Sequence, residues 1–140
     1  MNLLRDYFSA FDDAVAAHET NAPLTASWRF AHAETVVPFA NLLGLYQAQE
    51  PMTATNRDDD RYFTSSRRVT FAANVVAGLY SCEGGSYKVR FLYNEEEVVL
   101  PVCTQEGPFC GLETLRDAYQ GALEEWDYSE VCDGSCLCEW

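Results

Sequence analysis

Residues 29–38 read Arg-Phe-Ala-His-Ala-Glu-Thr-Val-Val-Pro, and the interpretation of the whole chain starts from this stretch. The β-favouring residues of Ser27–Ala33 predict a short strand, and apolar positions over Thr35–Gln49 predict a helix after it. Because proline is tolerated in a helix only near the first turn, Pro38 predicts a helix start at Glu34 or Thr35. The stretch therefore predicts a strand whose carboxyl end leads directly into a helix N-terminus.

Two polar residues, His32 and Glu34, lie at this junction. Open α/β sheets bind ligands outside the carboxyl ends of their strands, and helix N-termini present N–H groups and a positive dipole end to anions. A histidine and a carboxylate placed together there could bind a phosphate group and supply a proton. The alternative is that His32 is a hydrogen-bonded core histidine and Glu34 an ordinary helix cap.

Outward from this junction, the chain alternates between helical and strand patterns. Leu3–Ala17 has the apolar spacing of an amphipathic helix, which the Asn21-Ala22-Pro23 sequence ends. The other predicted elements are strands at Val69–Cys82, Tyr87–Tyr93 and Val98–Val102, a hairpin turn at Glu83–Ser86, and a closing helix at Leu112–Trp126. This order predicts an α/β fold with at least some parallel pairing, in which several strands are pieces of a larger sheet.

Composition limits the classes of partner. The chain has 140 residues, 48% of them apolar, which suits one globular domain. Nine basic and 22 acidic residues give a net charge of −13, which argues against nucleic acid and anionic membrane surfaces as partners. No apolar run approaches the roughly 20 residues of a membrane span. Met1–Ala10 shows no signal peptide, since Arg5 and Asp6 interrupt it.

Several motifs resemble those of one family. Arg29–Tyr46, RFAHAETVVPFANLLGLY, resembles the His-Ala-Glu motif and following helix of the multiple inositol polyphosphate phosphatases, within the histidine acid phosphatase superfamily. In the same order as in that family, further resemblances lie at Leu3–Val15, Arg61–Tyr80, Phe91–Cys103 and Phe109–Leu115. The match runs to about Tyr128 and leaves an acidic, cysteine-rich tail at 129–140. The resemblance implies that residues 1–140 are the C-terminal part of a histidine phosphatase-type sheet flanked by helices.

The resemblance also implies a reaction. The family hydrolyses phosphomonoesters of inositol polyphosphates, phytate included, and acts on bisphosphoglycerate, through a phosphohistidine intermediate and without a metal cofactor. By motif position, Glu34 is the proton donor and His32 a phosphate-binding residue. The family's nucleophile belongs to an Arg-His-Gly motif, whereas this sequence has two histidines, His18 and His32, and no such motif.

We therefore expect the nucleophile-bearing N-terminal portion to be absent from this chain. The chain alone should be inactive, and its expected partners are that missing portion of the same enzyme or a second copy of itself. The alternative is a stand-alone, non-catalytic acidic binding module derived from such an enzyme. His18, at the end of the first predicted helix, is expected to be solvated.

Four arginines fall within twelve residues: Arg57, Arg61, Arg67 and Arg68. Arginine forks bind phosphate bidentately, so this cluster, Arg67 and Arg68 in particular, is a candidate contact for a polyphosphate substrate. The alternative is that the arginines pair with Asp58–Asp60 on the surface.

Six cysteines are dense for a cytosolic protein and favour an oxidising compartment. Six allow 15 connectivities, and the sequence does not choose among them. Cys103 and Cys110 flank Gly107-Pro108, and the family resemblance implies a disulfide between them. Three tail cysteines, Cys132, Cys136 and Cys138, lack a fourth ligand nearby, so disulfides are favoured there over zinc. The resemblance and the cysteines together predict the endoplasmic reticulum lumen or secretion.

Overall fold

The computed structural model describes residues 3–22, 26–47, 53–56 and 64–124. The helices are α1 (Leu3–Glu19), α2 (Ala33–Leu42), α3 (Ser65–Arg68) and α4 (Leu112–Glu124). The strands are β1 (Val75–Ser81), β2 (Tyr87–Tyr93), β3 (Glu96–Val98) and β4 (Cys110–Gly111). The chain divides into two compact units, one formed by Met1–Trp28 with Arg116–Trp140 and the other by Arg29–Leu115.

The first unit contains α1 and most of α4, packed antiparallel. The ring of Phe8 lies 6.4 Å from the ring of Tyr119, centroid to centroid. Asp12, one turn after Phe8 in α1, forms an ion pair with Arg116, which lies one turn before Tyr119 in α4. Because moving forward along α1 corresponds to moving backward along α4, the two helices are antiparallel. Burial raises the pKa of Tyr119 to about 12, so its hydroxyl stays neutral in this core.

The second unit is built on an antiparallel sheet in the order β1-β2-β3, with β4 also paired to β2. β1 and β2 form a hairpin in which Val75 lies opposite Tyr93 and Ser81 opposite Tyr87. The connection is a short 3₁₀ turn, where Gly84 has a φ of 80° that favours glycine. The hairpin turn predicted from the sequence is therefore confirmed, as are the bounds of β2.

β2 forms the centre of this unit's core. Val89, Phe91 and Tyr93 are buried, while Arg90 and Leu92 between them are half-buried, as the period of two in a strand requires. The other buried residues of the unit are Phe39, Ala40, Leu43, Leu45, Tyr46, Leu100, Cys103, Cys110, Leu112 and Leu115. The core of the unit thus combines the central strand with α2, the turn after it and the start of α4.

α2 is shorter than the predicted helix at Thr35–Gln49, because a glycine ends it. Gly44 has a φ of 83°, and the N–H of Leu45 donates to the carbonyl of Ala40 at 2.9 Å. This is the Schellman arrangement that closes a helix with a left-handed residue. The helix also begins at Ala33, earlier than expected, and it contains Pro38 in its interior.

The strand predicted at Ser27–Ala33 is wrong, because residues 26–32 have no regular secondary structure. A strand needs a hydrogen-bonded neighbour, and the sheet of the described residues includes none for this segment. The parallel pairing predicted with it is also wrong for the described sheet, where every pair is antiparallel. Short turns join β1 to β2 and β2 to β3, and such turns permit only antiparallel pairing.

Two other strands have different bounds from those predicted. The strand predicted at Val69–Cys82 is shorter in the structure, where it is β1, because Ala72 has a φ of 61° that interrupts the extended backbone before Val75. The strand expected at Val98–Val102 lies earlier, at β3, and the chain then enters a 3₁₀ turn at Pro101–Cys103. The predicted α/β class itself is confirmed, as a mixture of helices and antiparallel sheet.

Candidate functional site

His32 and Glu34 lie together at the N-terminus of α2. His32 is the N-cap, with an extended backbone at φ −88° and ψ 170°, and its side chain makes no capping hydrogen bond. Its carbonyl accepts the N–H groups of Thr35 at 2.9 Å and Val36 at 3.2 Å, which starts the helix. Glu34 follows in the first turn, so both residues lie at the positive end of the helix dipole.

Both side chains are exposed to solvent. The exposure of His32 is incompatible with a core histidine, which was the alternative from sequence. The segment before the helix is exposed as well, with Trp28 and Phe30 at 76% and 93% of their full accessibility. An acid and an imidazole at a helix N-terminus can bind an anion and move a proton, and here a ligand can reach both.

Arg68 lies at the end of α3 and packs into the protein. Its guanidinium carbon lies 4.3 Å from the centre of the Tyr46 ring, and Nη1 donates to the Tyr46 hydroxyl at 3.4 Å. The backbone carbonyl of Arg68 accepts the Tyr93 hydroxyl at 2.7 Å and the side-chain amide of Asn94 at 3.2 Å. These contacts tie α3 to the turn after α2 and to the end of β2.

The structure places Arg68 beside the C-terminal end of α2, away from the His32–Glu34 pair. Tyr46, on which Arg68 stacks, follows the C-terminus of α2, whereas Glu34 is at its N-terminus. Ten helical residues span about 15 Å. Arg67 is exposed on α3. A phosphate contact by Arg67 or Arg68 stays a prediction.

Other predicted features lie outside the described residues. These are Arg57, Arg61, Asp58–Asp60, Cys132, Cys136 and Cys138. Within the described ranges, no cluster of His, Cys, Asp or Glu side chains could hold a metal ion, and no helix is long and apolar enough to cross a membrane. His18 is exposed at the end of α1, as expected.

Cys103 and Cys110 form a disulfide, with their Cα atoms 5.4 Å apart. Cys82 is a free, half-buried thiol. The loop that the disulfide closes carries a residue that sequence reasoning missed, Glu106, whose carboxylate contacts Gly111 and Thr114 at the start of α4. No local pattern identifies it, because a capping box places its Glu inside the helix rather than before it.

Comparison with known families identifies the domain. Residues 4–94, about two thirds of the chain and including α2 with His32 and Glu34, match the family model of the histidine phosphatase superfamily (branch 2). The chain belongs to this superfamily.

Three relatives of this superfamily member carry the same protein name, multiple inositol polyphosphate phosphatase 1. The Homo sapiens protein is 31% identical, the match covering 94% of this chain and 28% of the relative. The Gallus gallus protein is 31% identical, and its match covers 94% of this chain and 31% of the relative. The Dictyostelium discoideum protein is 27% identical, and its match covers 78% of this chain and 18% of the relative. The chain thus spans less than a third of each relative. No solved structure matches it.

Proposed function

We propose that this chain supplies the proton donor and a phosphate-binding residue for hydrolysis of inositol polyphosphates, phytate among them. The observation that carries the proposal is the exposed pair of His32 and Glu34 at the N-terminus of α2. It occurs in a member of the histidine phosphatase superfamily that resembles inositol polyphosphate phosphatases over 94% of its length. The same chemistry extends to bisphosphoglycerate, which is also a phosphomonoester.

The proposed reaction has two steps. A nucleophilic histidine attacks phosphorus, the bond from phosphorus to the substrate oxygen breaks, and the Glu34 carboxylic acid gives its proton to the leaving alkoxide. Water then attacks the phosphohistidine, the phosphorus–nitrogen bond breaks, phosphate leaves with the protons of that water, and Glu34 regains its proton from the solvent. His32 and the N–H groups at the start of α2 bind phosphate oxygens through both steps.

The nucleophile in this proposal comes from a further polypeptide segment, because these 140 residues contain no Arg-His-Gly. Two observations support such a further segment. Trp28 and Phe30, close to His32 in sequence, expose large apolar surfaces. The net charge of −13 would repel a polyphosphate, so the completing segment must also supply cations.

The test of Glu34 uses the longest natural polypeptide that contains these residues and two substrates that differ in leaving group. Glu34→Gln should lower kcat for inositol hexakisphosphate by about 10²–10⁴-fold, since an alkoxide needs a proton to leave. The same variant should keep most of its activity on 4-nitrophenyl phosphate, because nitrophenolate leaves without protonation. Steady-state kinetics on both substrates measure the contrast.

A matched control is Glu113→Gln, which removes an exposed carboxylate from the first turn of another helix, α4. It should leave both activities unchanged. Equal loss on the two substrates, or unchanged turnover of inositol hexakisphosphate in Glu34→Gln, would contradict the proton-donor role. His32→Ala should mainly raise KM for both substrates.

The second candidate function, a non-catalytic acidic binding module, is favoured by one observation, the absence of an Arg-His-Gly motif from the sequence. The intact mass of the native polypeptide separates the two. A mass equal to that of these 140 residues, with no turnover and with binding of a basic partner, selects the binding module. A larger mass that includes an Arg-His-Gly peptide selects the enzyme.

We also propose an oxidising compartment, the endoplasmic reticulum lumen or the exterior of the cell. The disulfide between Cys103 and Cys110 and the total of six cysteines support it.

A further inference from the structure

Glu106 lies in the loop between Cys103 and Cys110, and its carboxylate holds the start of α4. Oε2 accepts the backbone N–H of Gly111 at 2.9 Å, and Oε1 accepts the hydroxyl of Thr114 at 2.7 Å. The first N–H groups of a helix have no partner inside it, and a negative charge there opposes the positive dipole end. Glu106 therefore caps α4 from a preceding loop rather than from the N-cap position.

The loop is shaped so that this carboxylate reaches the helix. The N–H groups of Glu106 and Gly107 both donate to the carbonyl of Cys103, at 2.9 and 3.0 Å. At Gly111, an added Cβ would lie 3.0 Å from Thr114 Oγ1 and 3.3 Å from Glu106 Oε2. A side chain at this position would require the Thr114 hydroxyl and the Glu106 carboxylate to shift by a few tenths of an ångström.

The two ends of the loop are fixed in different ways. Cys110 belongs to β4 and pairs with Val89 of β2, so the sheet holds that end. Cys103 ends a 3₁₀ turn, and the disulfide ties it to Cys110. Both cysteines are buried, at 1% and 2% exposure. The Cys103 carbonyl that anchors Glu106 therefore keeps its place partly through the disulfide.

We propose that the loop from Cys103 to Cys110 is a redox-controlled clamp on α4, in which the disulfide holds Glu106 over the first turn of the helix. Reduction by a dithiol breaks the sulfur–sulfur bond. Two electrons and two protons convert the cysteines to thiols, and the dithiol closes to its own disulfide. Cys103 then separates from Cys110, and the carboxylate leaves Gly111 and Thr114.

The disulfide and the contacts of Glu106 hold the same loop, and both cysteines are buried, so a dithiol reaches the disulfide when the loop opens. Loss of the Glu106 contacts raises the population of the open loop and with it the rate of reduction. This consequence can be tested in the oxidised, folded chain, so the test does not require that the reduced chain stays folded.

The experiment measures how fast excess dithiothreitol reduces the Cys103–Cys110 disulfide in the native 140-residue chain. New thiols are trapped by alkylation and quantified in the tryptic peptide 91–116, which contains no other cysteine. Glu106→Gln should be reduced about tenfold faster than the parent chain, the size expected for loss of charge-assisted hydrogen bonds.

Two controls define the outcome. Glu113→Gln removes a carboxylate from the same helical turn, and Glu97→Gln removes the 2.6 Å ion pair with Arg90 between β2 and β3. The proposal requires that both are reduced at the parental rate. A parental rate in Glu106→Gln overturns it. Equal acceleration in Glu106→Gln and Glu97→Gln also overturns it, because reduction would then follow general unfolding.

Discussion

Glu106 accepts hydrogen bonds from Thr114 and Gly111, and these bonds hold the pKa of its carboxyl below the ordinary value. Lys88 of β2 adds a smaller effect in the same direction, and Glu113 is the other carboxylate in the first turn of α4. A group whose pKa is lower in the folded state stabilises that state above its unfolded pKa, and the benefit is lost as pH falls through the folded value.

Glu106→Gln should therefore lower the free energy of unfolding by about 1 kcal/mol near pH 7, the usual size for a capping side chain. The difference should persist down to about pH 5 and shrink at lower pH, because Glu106 is then protonated in the parent chain. Urea unfolding of both chains from pH 7 to pH 3 measures this. A difference that grows as pH falls would contradict the assignment of the cap to the ionised carboxylate.

The neighbours Arg67 and Arg68 show how far residue-level reasoning from sequence reaches. Both were candidates for phosphate contact, and nothing in the sequence separates them. The structure places Arg68 over the ring of Tyr46, while Arg67 is exposed. This difference between the two arginines arises because Arg68 contacts Tyr46, which lies 22 positions away in the sequence. A local sequence pattern does not include such a distant residue. The placement of His32 and Glu34 at a helix N-terminus was predictable because it depends on where α2 begins, whereas the strand expected before them is absent.

At the scale of elements, Gly44 decides the length of α2. Its φ of 83° disfavours any side chain, and an added Cβ would lie 3.0 Å from Pro101 Cγ. Gly44→Ala should destabilise the chain by about 1–3 kcal/mol through backbone strain together with this contact. Thermal and urea unfolding measure the loss.

The matched control is Gly85→Ala, at a φ of 77° with nothing within 4 Å of the added Cβ. Gly85→Ala introduces backbone strain without a close contact, so it should lower the free energy of unfolding less than Gly44→Ala does. If Gly85→Ala destabilises the chain as much as Gly44→Ala, then the approach of Pro101 does not contribute.

The elements that the sequence predicted well are those with local causes. α1 has an apolar face of its own and ends at Glu19, shortly before Asn21, whose φ is 55°. In β2, buried and half-buried residues alternate. Ser27–Ala33 has strand propensity, yet it needs a neighbouring strand, and the described sheet gives it none. The predicted parallel pairing was wrong for the same reason: strand order is a property of tertiary contacts.

At the scale of the whole molecule, two properties act in opposite directions on self-association. The net charge of −13 makes copies of the chain repel each other, and salt screens this repulsion over about 10 Å at 0.1 M. β1 is an edge strand of the described sheet, and its sequence, Val-Val-Ala-Gly-Leu-Tyr-Ser, contains no charge or proline. Such edges favour strand pairing between molecules.

The 140-residue chain should therefore self-associate increasingly as salt is raised, and Val76→Lys should reduce this. Val76 is 45% exposed on β1, where a lysine hinders edge-to-edge pairing. The substitution also weakens the net negative charge, which by itself would favour association, so a reduction must come from the edge. Val102→Lys makes the same charge change at a 40% exposed position in a 3₁₀ turn and should not reduce association. Sedimentation velocity at low and high salt distinguishes the variants. A parent chain that stays monomeric at both salt concentrations would contradict association through β1. The same conclusion would follow if Val102→Lys reduced association as much as Val76→Lys does.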